Sequence, residues 1–165
     1  MKVLFIGGIK SGKSLNAEKY IQTLAKTKPL YLATTEFIDE EMQERIKQHK
    51  AQREDRFITV EEALELSKEI AQHENTPVLI ECLSIWINNM LYHQKSAEQM
   101  QAEIHKLMMQ TRDIVFVIND VSCGIIPDNK LAREFVDANG KIAQLVASEC
   151  DEVYHVVAGI STRIK

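Results

Sequence analysis

The segment Lys2–Ser14, KVLFIGGIKSGKS, decides the fold. Its second part, Gly7–Ser14, matches the pattern GxxxxGK[ST] of a phosphate-binding loop. An apolar run, Lys2–Ile6, precedes the loop, and a run with helical spacing, Ser14–Lys26, follows it. A chance glycine turn beside a lysine is the alternative, but the strand–loop–helix context favours the phosphate loop.

The spacing in this loop follows from the chemistry of phosphate binding. Glycine adopts positive φ without strain and lets the backbone approach phosphate oxygens closely. Successive N–H groups and the positive end of the following helix then form an anion site. We expect Lys13 to reach the β- and γ-phosphates as a catalytic residue, and Ser14 to offer a hydroxyl to Mg²⁺. The predicted nucleotide-binding residues are Gly7, Gly8, Ile9, Lys10, Ser11, Gly12, Lys13 and Ser14. The loop alone does not choose between kinase, GTPase, ATPase and nucleotidyltransferase.

Short apolar runs alternate with helical patterns along the rest of the chain. Such runs are typical of strands that are buried on both faces of a parallel sheet covered by helices. The predicted strands are Lys2–Ile6, Leu30–Ala33, Val78–Ile80, Ile114–Ile118 and Val153–Val157, with a short edge strand at Phe57–Val60. The predicted helices are Ser14–Lys26, Asp39–Gln52, Glu61–His73, Leu83–His93, Ser96–Gln110 and Asn129–Glu149. The alternation predicts an α/β fold, a three-layer P-loop NTPase domain of RecA-like type with a mostly parallel sheet, and a single domain over residues 1–165.

The composition argues against several other classes of protein. The chain has 165 residues and a net charge of −4, so no basic face for nucleic acid is expected. No segment approaches the roughly 20 apolar residues that cross a bilayer, so we expect no membrane span. The cysteines Cys82, Cys123 and Cys150 show no CxxC spacing. They predict a reducing, cytoplasmic location and argue against a disulfide framework or a structural zinc site.

A second part of the phosphate site is expected at the end of another strand, where an acidic side chain helps to hold Mg²⁺. Glu81 directly follows the apolar run Val78–Ile80 and fits this position. The alternative for Glu81 is an acid in the first turn of the next helix. Asn119 and Asp120 follow the run Ile114–Ile118 in the same way, and ligands bind at the carboxyl ends of such strands.

One histidine, His49, has distinctive neighbours. It lies in the basic segment Arg45–Arg53, where Lys50 and Arg53 are candidates for binding phosphates. Nearby positive charge favours the neutral imidazole, which is a nucleophile. Spacing alone nevertheless favours a solvated surface histidine over a catalytic one.

Ordered matches to one enzyme family run along essentially the whole chain. In the first half they are FIGGIKSGKS (Phe5–Ser14), LYLATT (Leu30–Thr35), DEEM (Asp39–Met42) and RIxxHKxxR (Arg45–Arg53). In the second half they are Thr59-x-Glu61, ECLSIWxxN (Glu81–Asn89), NDV (Asn119–Val121), GIIP (Gly124–Pro127), LxRxFxD (Leu131–Asp137) and Gly159-Ile160. On these residues the chain resembles the bifunctional adenosylcobinamide kinase/adenosylcobinamide-phosphate guanylyltransferase family of cobalamin biosynthesis.

The resemblance implies two reactions: phosphorylation of adenosylcobinamide with ATP or GTP, and transfer of GMP from GTP to the new phosphate. In the family a GMP–histidine intermediate carries the second reaction, and the matching residue here is His49. The residues placed around the guanine nucleotide or its metal are Ala33, Thr34, Thr35, Lys50, Arg53, Glu61 and Glu81, with Ser14 and Glu81 as metal ligands. A solvated acid at the start of a helix is the alternative for Glu61. The resemblance also implies Mg²⁺, a corrinoid acceptor and, by analogy, a homotrimer.

Three departures from the family pattern lie in the second half of the chain: Ser122, Val136 and Ala143. They concern the corrinoid side of the reaction more than nucleotide binding. Two alternatives therefore stand beside the bifunctional enzyme. One is a P-loop kinase that keeps only one of the two activities, and the other is a RecA-like nucleotide-binding regulatory ATPase.

Overall fold

The computed structural model describes residues 1–36, 55–73 and 76–165. The predicted helix Asp39–Gln52 lies outside the described residues. Within the described ranges, no helix combines the length and the apolar character that crossing a membrane requires.

The described strands form one seven-stranded sheet. They are β1 (Lys2–Gly7), β2 (Leu30–Ala33), β3 (Ile58–Glu61), β4 (Val78–Glu81), β5 (Ile114–Asn119), β6 (Glu152–Val157) and β7 (Ile160–Arg163). Their order is β3-β2-β4-β5-β1-β6-β7. All pairs are parallel except β6 with β7, which is antiparallel. The mostly parallel sheet and all six predicted strands, including the edge strand β3, are confirmed.

The central strands are apolar without alternation because helices cover both of their faces. Every residue of Ile114–Ile118 in β5 is fully buried, and Val3 and Leu4 in β1 are also fully buried. Alternate residues of a strand point to opposite faces, so each central strand contributes to two cores. This explains why the sequence pattern shows continuous apolar runs.

Five helices lie within the described residues. They are α1 (Lys13–Leu24), α2 (Leu66–Ala71), α3 (Leu83–Tyr92), α4 (Ala97–Met108) and α5 (Lys130–Glu149). On one face of the sheet, Ala17 and Ile21 of α1 pack with Val3 and Phe5. On the other face, residues of α2, α3, α4 and α5 pack in one core around Trp86. The chain therefore has the predicted three layers, with α1 on one side of the sheet and α2–α5 on the other.

Two elements differ from the sequence prediction. The helix predicted over Glu61–His73 is only α2, because Glu61 ends strand β3, in register with Ala33 of β2. The Glu62 carboxylate accepts the backbone N–H groups of Leu64 and Glu65, which forms a turn before α2. Strand β7 was not predicted. It folds back on β6 through a turn at Ala158 and Gly159, which have φ values of 50° and 81°.

Candidate active site

The phosphate loop connects the end of β1 to the start of α1. Gly12 precedes α1 and has a φ of 92°, and Lys10 has a φ of 57°. Both values lie in the left-handed region, and such turns point successive backbone N–H groups toward one concave surface. Lys13 is 8% exposed, and its Nζ donates to the carbonyl oxygen of Gly8 at 3.4 Å. The Lys13 ammonium is thus held across the loop, beside the surface where phosphates would bind.

The β6–β7 turn supports this loop from outside. The Gly159 N–H donates to the carbonyl oxygen of Ser11 at 2.7 Å. The Asn16 side chain donates to the carbonyl oxygens of Gly12 at 2.9 Å and Gly159 at 3.2 Å. A Cβ atom on Gly12 would lie 3.0 Å from the Gly159 Cα. Asn16 was not among the predicted site residues, although a polar residue in the first turn after the loop was a visible signal.

The side chains of Ser14 and Glu81 contact each other next to the phosphate loop. Glu81 is the last residue of β4, and its Oε1 accepts the Ser14 hydroxyl at 2.7 Å. The interpretation of Glu81 as a first-turn acid of the next helix is wrong, because α3 begins at Leu83 with Cys82 as its N-cap. A hydroxyl and a carboxylate oxygen are ligands that Mg²⁺ accepts. The pair therefore suits a metal ion at the predicted position.

Three further predicted residues lie at the same edge of the sheet. Ala33 of β2 is in register with Glu81 of β4 on one side and with Glu61 of β3 on the other. Glu61 is exposed at a strand end, so its interpretation as a helix-start acid is wrong. Thr35 lies just beyond the end of β2 and lines a cavity. The fold thus brings Ala33, Thr35, Glu61 and Glu81 to the edge where the phosphate loop also lies.

Thr34 has a different environment from the other predicted residues, because it is fully buried. Its hydroxyl accepts the Cys82 N–H at 3.0 Å and donates to the Cys82 carbonyl oxygen at 2.9 Å. Its N–H donates to the Glu81 carbonyl oxygen, and its own carbonyl accepts from Asn89. Thr34 therefore fixes the backbone that directly follows Glu81.

A polar network that was not predicted from the sequence lies at the end of β5. The Ser84 hydroxyl donates to Asn139 Oδ1 at 2.8 Å and accepts the Asn119 N–H at 2.9 Å. The Asn139 Nδ2 donates to the Asn119 carbonyl oxygen at 3.0 Å. Asn139 is 2% exposed in the middle of α5. A polar side chain on the apolar face of an amphipathic helix was the signal that could have found it.

Asp120 follows β5, as predicted, but its carboxylate forms hydrogen bonds within the loop that follows the strand. It accepts the Ser122 N–H at 3.0 Å and the Ser122 hydroxyl at 2.5 Å. These hydrogen bonds lower the pKa of Asp120. Its backbone N–H donates to the Gly7 carbonyl oxygen at 2.9 Å, so Asp120 contacts the start of the phosphate loop through its main chain.

His49, Lys50 and Arg53 lie outside the described residues. The catalytic role of His49 and the phosphate-binding roles of Lys50 and Arg53 therefore stay predictions.

Fold and loop together define a P-loop nucleotide-binding protein with a RecA-like α/β sheet. A solved structure of a KaiC-like protein from Pyrococcus horikoshii OT3 has the same fold. It superposes with a TM-score of 0.51 and 14% sequence identity, over 93% of this chain and 69% of that chain.

Residues 3–164 match the family described as cobinamide kinase / cobinamide phosphate guanyltransferase, and the chain belongs to this family. It is 34% identical over 183 residues to the bifunctional adenosylcobalamin biosynthesis protein CobU of Escherichia coli (strain K12), with all of both chains covered. It is 32% identical over 183 residues to the protein of the same name from Salmonella typhimurium, again with both chains fully covered. The family predicted from the ordered motifs is confirmed.

Proposed function

We propose that this chain phosphorylates adenosylcobinamide with ATP or GTP and then transfers GMP from GTP to that phosphate, giving adenosylcobinamide-GDP and pyrophosphate. Membership of the family over residues 3–164 supports both reactions. The observation in the site that carries the proposal is the 2.7 Å hydrogen bond between Ser14 and Glu81. This pair joins the helix after the phosphate loop to the end of a second strand, where P-loop enzymes bind the metal of a metal–triphosphate complex.

Mg²⁺ is the proposed metal, with Ser14 and Glu81 as its protein ligands. When bound, it would neutralise charge on the phosphates of the nucleotide. Lys13 contributes a second positive charge whose position is fixed by burial and by the Gly8 carbonyl. Such pre-positioned charge stabilises a phosphoryl transition state without reorganisation during the reaction.

In the kinase step, the acceptor hydroxyl oxygen forms a bond to the γ-phosphorus while the bond to the bridging oxygen breaks. The nucleoside diphosphate leaves, and the hydroxyl proton is released to solvent. Lys13 holds the β- and γ-phosphates during this exchange.

In the guanylyl transfer, we propose that a neutral imidazole nitrogen of His49 attacks the α-phosphorus of GTP and that pyrophosphate leaves. A phosphate oxygen of adenosylcobinamide phosphate then displaces the imidazole and restores His49. The covalent intermediate divides one difficult transfer into two easier steps. Lys50 and Arg53 are proposed to stabilise the phosphate charges, together with Lys13. The role of His49 rests on the family resemblance and on its basic neighbours.

Incubation with α-³²P-GTP and Mg²⁺ tests the guanylyl half. We expect a label on the protein that is labile in acid and stable in alkali. His49→Ala should abolish it, whereas the control His105→Ala, on the exposed surface of α4 and paired with Glu149, should keep it. A wild-type protein that takes up no label would refute the guanylyl half. Phosphorylation of adenosylcobinamide by ATP tests the kinase half separately, so an enzyme with one activity would be recognised.

We also propose that the enzyme is a cytoplasmic homotrimer. The trimer rests on the family resemblance alone. The location is supported by Cys82, Cys123 and Cys150, which are all free thiols. Light scattering coupled to gel filtration tests the trimer, and a mass other than that of three chains would contradict it.

A further inference from the structure

An open cavity of about 260 Å³ lies at the carboxyl edge of the sheet, between α3 and α5. Among the described residues, those that line it are Thr35, Ser84, Ile85, Asn88, Asn89, Asn119 and Phe135. None of these side chains carries a charge. This described lining therefore offers no charge to a phosphate group, although the cavity lies at the same edge of the sheet as Glu81.

The floor of this cavity is rigid. Ser84, Asn119 and Asn139 form the closed set of hydrogen bonds described above, which fixes the main chain at the end of β5. The side chain of Asn89 is also committed, because its Nδ2 donates to the carbonyl oxygens of Thr34 and Ala63. The cavity is thus preformed, which lowers the entropic cost of binding a ligand.

Three polar side chains at the cavity remain available. Within the part of the chain that the structure describes, the side-chain amides of Asn88 and Asn119 and the side-chain hydroxyl of Thr35 make no hydrogen bond. Each asparagine amide offers both donors and an acceptor. Ile85 and Phe135 supply an apolar wall beside them. This combination suits a neutral group that has a donor, an acceptor and attached hydrocarbon.

The position of the cavity favours the acceptor over the nucleotide. The phosphate loop leads into α1, which lies on one face of the sheet. The cavity opens between α3 and α5, which pack in the other core, although its lining residue Ile85 packs against the core on the α1 side. In phosphoryl transfer, the acceptor approaches the γ-phosphorus in line, on the side away from the leaving oxygen. A pocket across the sheet edge from α1 is placed for that partner.

We propose that this cavity binds a neutral carboxamide-bearing arm of the cobinamide acceptor, with Asn88 and Asn119 as the residues that recognise the carboxamide. The inference rests on the proposed function, because it assumes that cobinamide is the acceptor. A primary carboxamide pairs reciprocally with an asparagine amide, since each supplies one donor and one acceptor. A volume of about 260 Å³ accommodates one arm and leaves the macrocycle outside.

The variants Asn88→Ala and Asn119→Ala test this assignment. Gln101→Ala, an exposed position on α4, is the control. The dissociation constant of adenosylcobinamide is measured by calorimetry in the presence of a non-hydrolysable ATP analogue, and the dissociation constants of GTP and ATP are measured separately. Loss of one hydrogen bond should weaken adenosylcobinamide binding about 3- to 10-fold in each test variant. The dissociation constants of GTP and ATP should stay within about twofold of their wild-type values, because the substituted side chains are proposed to contact the acceptor and not the nucleotide.

A chemical variant of the ligand sharpens the test. Hydrolysis of one cobinamide carboxamide to a carboxylate should weaken binding to wild type, because the carboxylate cannot donate and the described lining of the pocket offers its charge no partner. The Asn88→Ala and Asn119→Ala variants should discriminate less between the two ligands.

Unchanged adenosylcobinamide binding in both variants would overturn the assignment while leaving the proposed function intact. Unchanged adenosylcobinamide binding with a reduced preference for GTP over ATP would assign the cavity to the nucleotide base and would also overturn it. Wild-type protein that neither binds nor phosphorylates adenosylcobinamide would overturn the proposed function and this inference together.

Discussion

Replacement of Thr34 by valine tests how the end of β4 is held. Valine has nearly the same shape as threonine, so the change creates no cavity and removes only the hydroxyl. That hydroxyl is the acceptor of the Cys82 N–H, at 3.0 Å, at a fully buried position. The Cys82 carbonyl keeps a second donor, the Trp86 N–H at 3.1 Å. The substitution therefore leaves one buried N–H group, that of Cys82, without its partner.

The expected change in stability follows from this single buried N–H group. A buried donor left without a partner costs about 1–3 kcal/mol. Thr34→Val should therefore lower the free energy of unfolding by about 2 kcal/mol, which for a chain of this length lowers the melting temperature by about 4–8 °C. Thr34→Ser is the matched control. It keeps the hydroxyl and loses one methyl group, at a cost of about 1 kcal/mol.

Urea unfolding followed by circular dichroism measures both variants, with an unchanged slope as the check that the transition is comparable. A second readout is the Mg²⁺ concentration that gives half-maximal kinase activity. It should rise in Thr34→Val and stay unchanged in Thr34→Ser, because only the valine variant releases the backbone next to Glu81. A valine variant as stable as the serine variant would refute the reasoning. A valine variant that loses stability without any change in its Mg²⁺ dependence would refute the role of Thr34 in positioning Glu81.

Three other perturbations have defined outcomes. Glu81→Gln keeps the acceptor for the Ser14 hydroxyl but removes the charge, so the Mg²⁺ concentration for half-maximal activity should rise about tenfold or more in a metal titration; an unchanged value would contradict the metal site. Gly12→Ala adds a Cβ to a residue whose φ is 92°, and the new Cβ would lie 3.0 Å from the Gly159 Cα. The substitution should lower the free energy of unfolding by about 1–2 kcal/mol and abolish nucleotide binding. The control is Gly140→Ala, which lies in a helix with open space around the new Cβ. It should raise the free energy of unfolding, measured by the same urea unfolding, by up to about 1 kcal/mol. Tyr20 donates to Glu152 at 2.6 Å, and this hydrogen bond is the largest cause of the lowered pKa of Glu152. Because the folded pKa is depressed, the stabilisation is present above about pH 4.5, the ordinary value, and is lost as the pH falls through the folded pKa. Tyr20→Phe should therefore destabilise the protein near neutral pH, and the difference from wild type should shrink in acid; a difference independent of pH would contradict this account.

The sequence predicted the parts of the fold that local patterns determine. The continuous apolar runs identified five of the six parallel strands, because burial on both faces leaves no position for polar residues. The sixth, β3, is partly exposed and was predicted separately as a short edge strand. The same logic placed Glu81 correctly, since it is the first polar residue after a buried run. The phosphate loop was also predictable from local sequence, because its consensus spacing is recognisable within eight residues.

The elements that were not predicted from the sequence depend on contacts with residues distant in the chain. Strand β7 has the short polar sequence ISTR and exists because a turn with two positive φ values returns it to β6. The segment after Glu61 has helical spacing, but pairing with β2 extends β3 through Glu61 and delays the helix to Leu66. In both cases a tertiary contact overrides the local preference.

The three glycines of the phosphate loop have different surroundings: two of them contact the C-terminal hairpin, and one faces open space. A Cβ on Gly7 would collide with the carbonyl oxygen of Val156 in β6, and a Cβ on Gly12 would press against Gly159 at the following turn. These two glycines therefore fit the loop to the β6–β7 hairpin, which lies more than 140 residues later in the chain. A Cβ on Gly8 would meet no atom within 4 Å. Gly8 is thus the position where the absence of a side chain leaves open space, which a phosphate needs for close approach to the backbone. The spacing of the motif therefore reflects packing against the C-terminal hairpin as well as phosphate binding.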